Sequence, residues 1–467
     1  MNTVLCNKHD STLASLKDKL RRLLYRFEVD RAVFFGILTK IWVVLAGPIT
    51  ALLIVVRFTP EYQGYYYTFG SLLALQIFVE LGLSTVIIQF ASHEWSKLKL
   101  DGSGSIAGDK VALSRLVSLA NITMRWYLVG GAIVAIGLSL GGYVFFLQAQ
   151  NPNVSWSLPW FSLCFLTGIT ICLLPLWSLL EGCNQVSTVY TYRFFQGLVS
   201  SLAIWIAILA GAKLWTASIS VAVSMLCAVL FFKYRYGKFI KILLFTKSLG
   251  SRIEWKKEIL PMQWRIALSW ISGYFVFSLF TPIIFHYHGP VTAGQFGMTW
   301  SIVGMVFMIS GSWFFPKVPR FGMLIAEKRY AELDSLFGRV TKVFVIVTIL
   351  VSIAVWFAIY VLNQLNHPFA ARLLPVLPTT VFLLAQVIMA LSLPFSAYLR
   401  AHKKEPLLFL SLCAGALTAL DVFILGKYSV TAIGFGYLLI NIVLIPCVFL
   451  TWHLCKIKWH SDGLACK

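Results

Sequence analysis

Residues 57–94 read RFTPEYQGYYYTFGSLLALQIFVELGLSTVIIQFASHE, and the class of the protein turns on them. A Pro/Gly turn at Thr59, Pro60 and Gly64 leads into three tyrosines, Tyr65 to Tyr67, and an apolar run from about Tyr66 to Phe90. That run is long enough to cross a hydrocarbon core of ~30 Å. The tyrosines are expected at headgroup level, rings inward and hydroxyls outward. Gln76, Glu80 and Ser84 recur every four residues and so share one face of the predicted helix. A carboxylate in an apolar span is costly unless it is paired, protonated or facing water, so the protein must be built around Glu80.

The rest of the chain has the same character. It is 59% hydrophobic and 12% charged, with a mean hydropathy of +0.81, which places it among all-α polytopic membrane proteins. A formal charge of +21 would suit nucleic acid, but the basic residues sit in short connectors between apolar runs and read as a topology signal. No nucleic-acid partner is expected. The nine cysteines are scattered without paired spacing and read as small packing residues. No cleavable signal peptide is visible.

Twelve spans are predicted, at about 33–56, 66–90, 126–147, 159–180, 190–211, 213–233, 265–285, 294–315, 342–362, 375–398, 406–425 and 430–452. Four basic residues, Arg57, Lys213, Arg372 and Lys427, fall in connectors on one side, and Lys40 lies within a span. The others fall on the opposite side, which is therefore cytoplasmic and holds both termini. The expected organisation is a basic amphipathic N-terminal segment over 1–32, a first six-helix half over 33–233 and a basic cytoplasmic linker over 234–264. A second six-helix half over 265–452 and a cytoplasmic tail over 453–467 complete the chain. The turn Pro60-x-x-x-Gly64-Tyr65-Tyr66 follows the first span of one half, and Pro290-x-x-x-Gly294-Gln295-Phe296 follows the first span of the other. Halves of six spans would be parallel repeats about an axis along the membrane normal.

Lys40 and Glu80 are predicted at similar depth, near enough to pair across adjacent helices. Lys40 would line a central cavity, with Glu80 tuning it or exchanging an ion; the bland alternative is a snorkelling lysine neutralised by a carboxylate. Arg265 opens the seventh span, where a guanidinium suits a bidentate grip on phosphate. The candidate substrate-binding residues are therefore Lys40, Arg265, Gln76 and Tyr274, and the candidates for ion coupling or charge pairing are Glu80 and Asp421. Asp421, six residues before Lys427, reads as a rim ion pair first and a gate second. Arg125 and Arg193 read as headgroup anchors. No catalytic set, Walker A loop or metal site is visible, since His286 and His288 have no third ligand nearby. No cofactor is expected.

Several stretches together resemble the polysaccharide flippases of the multidrug/oligosaccharidyl-lipid/polysaccharide exporter superfamily. They are Pro60 to Gly64 with its aromatics, Glu80-Leu81-Gly82-Leu83-Ser84, and Leu180-Glu181-Gly182 through Arg193 and Gln196. Leu260-Pro261-Met262-Gln263-Trp264-Arg265 through Tyr274, Gly294-Gln295-Phe296-Gly297 and Pro316-Lys317-Val318-Pro319 complete the pattern. The resemblance spans 33–452. It implies a non-enzymatic flippase of the bacterial cytoplasmic membrane, moving glycan repeat units on polyprenyl diphosphate by alternating access. The implied partners are that lipid-linked glycan, membrane lipids, and the polymerase and glycosyltransferases of the same pathway. Two competitors stand beside it. A cation-coupled drug exporter of the same superfamily is disfavoured by the basic groups and favoured by Glu80. A membrane glycosyltransferase or polymerase would need a long outer loop, and no outer connector here is long enough.

Overall fold

A computed structural model of the chain describes residues 31–101, 105–148, 154–246, 253–402 and 404–462. The N-terminal segment predicted to be amphipathic lies outside the described residues, apart from its last two. The inner end of the molecule is taken here as the end carrying the basic connectors.

The described chain is almost entirely helical. Helix α1 (Arg31–Arg57) is followed by α2 (Pro60–Leu73), a short 3-10 turn, α3 (Ile77–Glu80) and α4 (Leu83–Trp95). A two-stranded antiparallel hairpin, β1 (Leu98–Leu100) with β2 (Ile106–Gly108), fills the next inner connector. Then come α5 (Lys110–Leu147), α6 (Ser157–Gly182), α7 (Val186–Leu209) and α8 (Trp215–Phe245). The second half contains α9 (Leu260–Phe277), α10 (Phe280–Phe314), α11 (Val318–Ala326), α12 (Tyr330–Gln364), α13 (Val376–Ala390), α14 (Ser392–Ala401), α15 (Leu408–Leu425) and α16 (Val430–Asp462).

By length and hydropathy, ten helical runs among the described residues are able to cross a membrane, and the bent pair Pro60–Glu80 and Leu83–Trp95 makes an eleventh. One run, Gln263–Ala326, has 64 residues, far more than the ~20 that one span requires. It reverses at Gly289, whose φ of 79° is left-handed. The reversal brings Trp300 Nε1 back to donate to the carbonyl of Phe277 at 3.0 Å, and stacks Phe296 on Phe280. Counted as two, that run restores twelve spans. The two halves repeat their packing partners: α1 lies on α7 as α9 lies on α15, and α5 on α6 as α12 on α13.

Two sequence expectations need correction. The second span is not one straight helix: Leu81 (φ 47°) and Gly82 (φ 67°) break it with a bend of 43°. The break frees the carbonyl of Val79, and Trp126 Nε1 on α5 caps it at 3.0 Å. The tyrosines after Pro60 do not form a lipid-facing belt. Tyr65 is fully buried, with its ring against Phe146 and Phe285 at 5.3 and 5.0 Å. Much of the expected linker, 234–264, carries helical structure. Helix α8 continues to Phe245, and a π-helical turn at Trp255–Ile259 packs on the first half, with Trp255 stacked on Trp126 and the N–H of Ile253 donating to Ser118 Oγ.

Candidate functional site

The halves meet along α1, α2–α4, α9 and α10. At the outer end α2 crosses the second limb of α10, and the crossing is built from the repeated turn. Gly294 approaches Gly64 so closely that a Cβ on Gly294 would lie 2.8 Å from the nitrogen of Gly64; a Cβ on Gly64 would fall on the carbonyl of Pro290. Pro at the first turn of each helix is tolerated because its missing N–H has no partner there. The glycine one turn later lets the backbones touch. Sequence showed the repetition of this turn; the structure shows that its two copies meet.

Around the crossing, polar groups bridge the halves. Gln63 Nε2 donates to the carbonyls of Gly294 and Arg372, each at 2.9 Å. Arg372, from the connector between α12 and α13, donates from Nη2 to the carbonyls of Phe58 (2.5 Å) and Val55 (3.3 Å). Those carbonyls belong to the last turn of α1 and the residue after it, where backbone acceptors are free and the helix dipole is negative. A half-buried arginine donating to both is a strong clasp. These contacts join the two halves at this end. Sequence reading treated Arg372 as a topology marker and missed this role. Its signal was an arginine in a connector series that holds only four basic residues.

Further inward, short of Arg31 and Glu94 at the inner ends of α1 and α4, the charged side chains on the interface helices are Lys40, Glu80 and Arg265. Lys40 is exposed and lies over the ring of Phe315 at 4.9 Å, beside a small apolar cavity of about 200 Å³ between α1 and α10. Glu80 is half-buried just before the break and accepts from Ser84 Oγ at 2.8 Å; Ser84 Oγ in turn lies 3.3 Å from the hydroxyl of Tyr127. Lys40 and Glu80 do not pair: among the described residues no ion pair joins them, because α1 turns Lys40 toward α10 while Glu80 is held on Ser84. Arg265 is exposed, its guanidinium over the ring of Trp264 at 5.5 Å. Tyr274 is buried with its ring 5.4 Å from Phe78 of α3, which closes the interface between α3 and α9. Gln76 lies in the 3-10 turn, half-buried. Lys40, Gln76, Glu80, Arg265 and Tyr274 thus all stand on interface helices.

Asp421 departs from expectation. It lies on α15 within the second half, buried, and no ion pair with Lys427 forms among the described residues. Its carboxylate packs against Gly436 of α16, where a Cβ would overlap it. Arg193 also differs from its reading as a headgroup anchor: its Nη2 pairs with Glu181 at 2.6 Å over the rings of Trp177 and Tyr190. A further charged cluster went unread in the sequence. Arg115 on α5 holds Glu94 at 2.7 Å and Glu258 at 2.6 Å, clasping the start of the second half to the inner end of the first.

No protein-family model matches the chain, and no curated protein matches it. Solved structures do. One titled as a crystal structure of MATE in complex with MaD5 superposes with a TM-score of 0.59 at 14% identity, over 93% of this chain and 98% of that one. An inward-facing multidrug resistance MATE family transporter of the MOP superfamily gives 0.58 at 14% identity, over 92% and 96%. Its outward-facing counterpart gives 0.53 at 13%, over 93% and 98%. The chain has the fold of these transporters along nearly its whole length.

Proposed function

We propose that the protein is a secondary transporter that works by alternating access and carries an anionic, lipid-linked glycan from the cytoplasmic to the outer leaflet. The observation that carries the reading is the charge along the interface. Two exposed cations, Lys40 and Arg265, stand on opposite halves, and the one carboxylate among them, Glu80, is occupied by Ser84. A diphosphate between them would meet a point charge and a fork-shaped donor, which suits phosphate oxygens. Gln76 and Tyr274 would contact the sugars, and the apolar gap beside Lys40, between α1 and α10, would let a lipid tail remain in the bilayer. The membrane would be the bacterial cytoplasmic membrane, with both termini inside.

A second reading has its own observation. The neighbours named above include structures titled as multidrug resistance transporters, and a half-buried carboxylate such as Glu80 would suit a cationic drug. Binding of a radiolabelled polyprenyl diphosphate saccharide to purified protein separates the two. Lys40→Ala and Arg265→Ala should each weaken binding at least tenfold while Glu80→Gln leaves it within twofold. Unchanged binding in both cation variants, or binding of a lipophilic cation that Glu80→Gln abolishes, favours the drug exporter.

A further inference from the structure

Within the second half, away from the interface, a cavity of about 290 Å³ lies among α9, α13, α14, α15 and α16. Its inner mouth is formed by Arg400, Lys404 and Glu405. Arg400 sits 3.7 Å from Glu405, and Lys404 lies over the ring of Trp459 at 4.7 Å. From Leu408 to Thr418 the cavity follows α15 for ten residues, or ~15 Å at the helical rise. It is a narrow slot running from the inner surface toward the middle of the membrane, with space for ~10 waters at their liquid volume.

Its wall carries hydroxyl and amide groups along its length. Ser392 Oγ donates to the carbonyl of Met389, Ser396 Oγ to that of Leu393, and Asn441 Nδ2 to that of Tyr437. These hydroxyl oxygens keep lone pairs for other partners, Asn441 keeps a second N–H, and Ser269 and Thr418 add hydroxyls to the wall. Water in the slot would therefore find both acceptors and donors, as a chain that relays an excess proton requires.

At the blind end the slot reaches Thr418, and Asp421 follows one turn later on the same face of α15. Asp421 is 8% exposed, and its Oδ2 has no hydrogen-bond partner among the described residues. Side chains on a helix lean toward its N-terminus, which for α15 is the inner end, so the carboxylate leans toward the slot. Nearby titratable groups are otherwise engaged or exposed. Tyr437 donates to the sulfur of Met389, His288 Nε2 sits 2.8 Å from the carbonyl of Gly426, and Lys427 and Tyr428 are exposed at the outer turn. A buried carboxylate without a partner is costly, and taking up a cation removes that cost.

We propose that Asp421 is the coupling site of this transporter and binds a proton delivered from the cytoplasm through the slot. Water in the slot gives up a proton, a carboxylate oxygen of Asp421 takes it, and the product is a neutral carboxyl that no longer resists movement of α15 against α16. The basic mouth opposes entry of a metal cation but not of a proton, which travels by rearranging hydrogen bonds along water. The proposal rests on the transporter reading but on no particular cargo.

Infrared difference spectroscopy of the purified, membrane-reconstituted protein tests it by reading protonation rather than transport. The carbonyl stretch of a protonated carboxyl should appear as pH falls, be lost in Asp421→Asn and persist in Glu80→Gln. In Ser392→Phe, which plugs the slot, the band should respond at least tenfold more slowly to a pH jump on the cytoplasmic side. A band unchanged in Asp421→Asn, or an unslowed response with the slot plugged, overturns the proposal. Binding of radioactive sodium that Asp421→Asn abolishes would also overturn it, in favour of a metal-ion site. If Asp421→Asn does not fold, Thr418→Cys and Asn441→Cys in a protein otherwise free of cysteine decide the matter. Each should react with a charged thiol reagent from the cytoplasmic side, and absence of reaction at both removes the slot.

Discussion

Replacing Gly64 by alanine should open the outer end. The new Cβ would fall on the carbonyl of Pro290, and the obstacle is backbone, not a side chain able to swing aside. Overpacking of this kind costs ~1–3 kcal/mol, and rigid backbone places it near the upper end. The cost falls only on states in which α2 and α10 are crossed, so a penalty of ~3 kcal/mol shifts the population about 100-fold toward an open outer end. Met298, fully buried just below the crossing with its sulfur 3.9 Å from Gln63 Nε2, supplies a reporter. In a cysteine-free background, Met298→Cys should react with an impermeant maleimide from outside ~100-fold faster when Gly64→Ala is added. Gly294→Ala should give a smaller rise, because its Cβ would lie 2.8 Å from the nitrogen of Gly64. Gly70→Ala, on the same helix with nothing within 4 Å, should give none. A folded Gly64→Ala protein with unchanged labelling, or an equal rise in Gly70→Ala, would refute the reasoning.

Removing the Arg372 clasp should act in the same direction. Arg372→Ala loses charge-assisted bonds worth ~1.5–3 kcal/mol and should speed labelling of the same reporter, with Arg372→Lys intermediate; equal rates in all three would exclude a clasp. Glu258 is held below the ordinary carboxylate value of 4.5 by the backbone N–H of Glu254 and by Arg115. Its stabilisation is therefore present above that value and lost as pH falls through its lowered one. Hydrogen exchange at 253–259, corrected for intrinsic pH dependence, should accelerate in that acid range, and in Glu258→Gln already at neutral pH. Burial holds His402 below its ordinary value of 6.5, so folding favours the neutral ring. Stability is full above 6.5 and falls as pH drops toward the lowered value. Melting temperature should decline over that interval, and His402→Gln should flatten the decline.

Periodicity and charge placement revealed the class and a two-half architecture of about twelve spans, because the bilayer imposes length and hydropathy on every span. They also located both copies of the Pro-x-x-x-Gly turn, but not their contact, since tertiary crossings leave no local pattern. The pairing of Lys40 with Glu80 was inferred from depth alone. Depth says nothing about azimuth, and α1 turns Lys40 toward Phe315. The bend at Leu81–Gly82 had a visible glycine but lay inside an uninterrupted apolar run, which reads as straight helix. Arg372, the Arg115–Glu258 pair and the slot behind α9 depend on partners more than 100 residues away or on the packing of five helices, beyond the reach of any window of sequence.

The central claim is that the cargo is an anionic lipid-linked glycan. Its most direct test is leaflet exchange of a fluorescent polyprenyl diphosphate saccharide in vesicles containing the purified protein, read with an impermeant quencher. The account predicts that a second, normally protected fraction of the probe becomes accessible in protein-containing vesicles and stays protected in empty ones. The gain should disappear in Lys40→Ala/Arg265→Ala. Protection unchanged by the wild-type protein, in vesicles that nevertheless take up a lipophilic cationic dye, would contradict it.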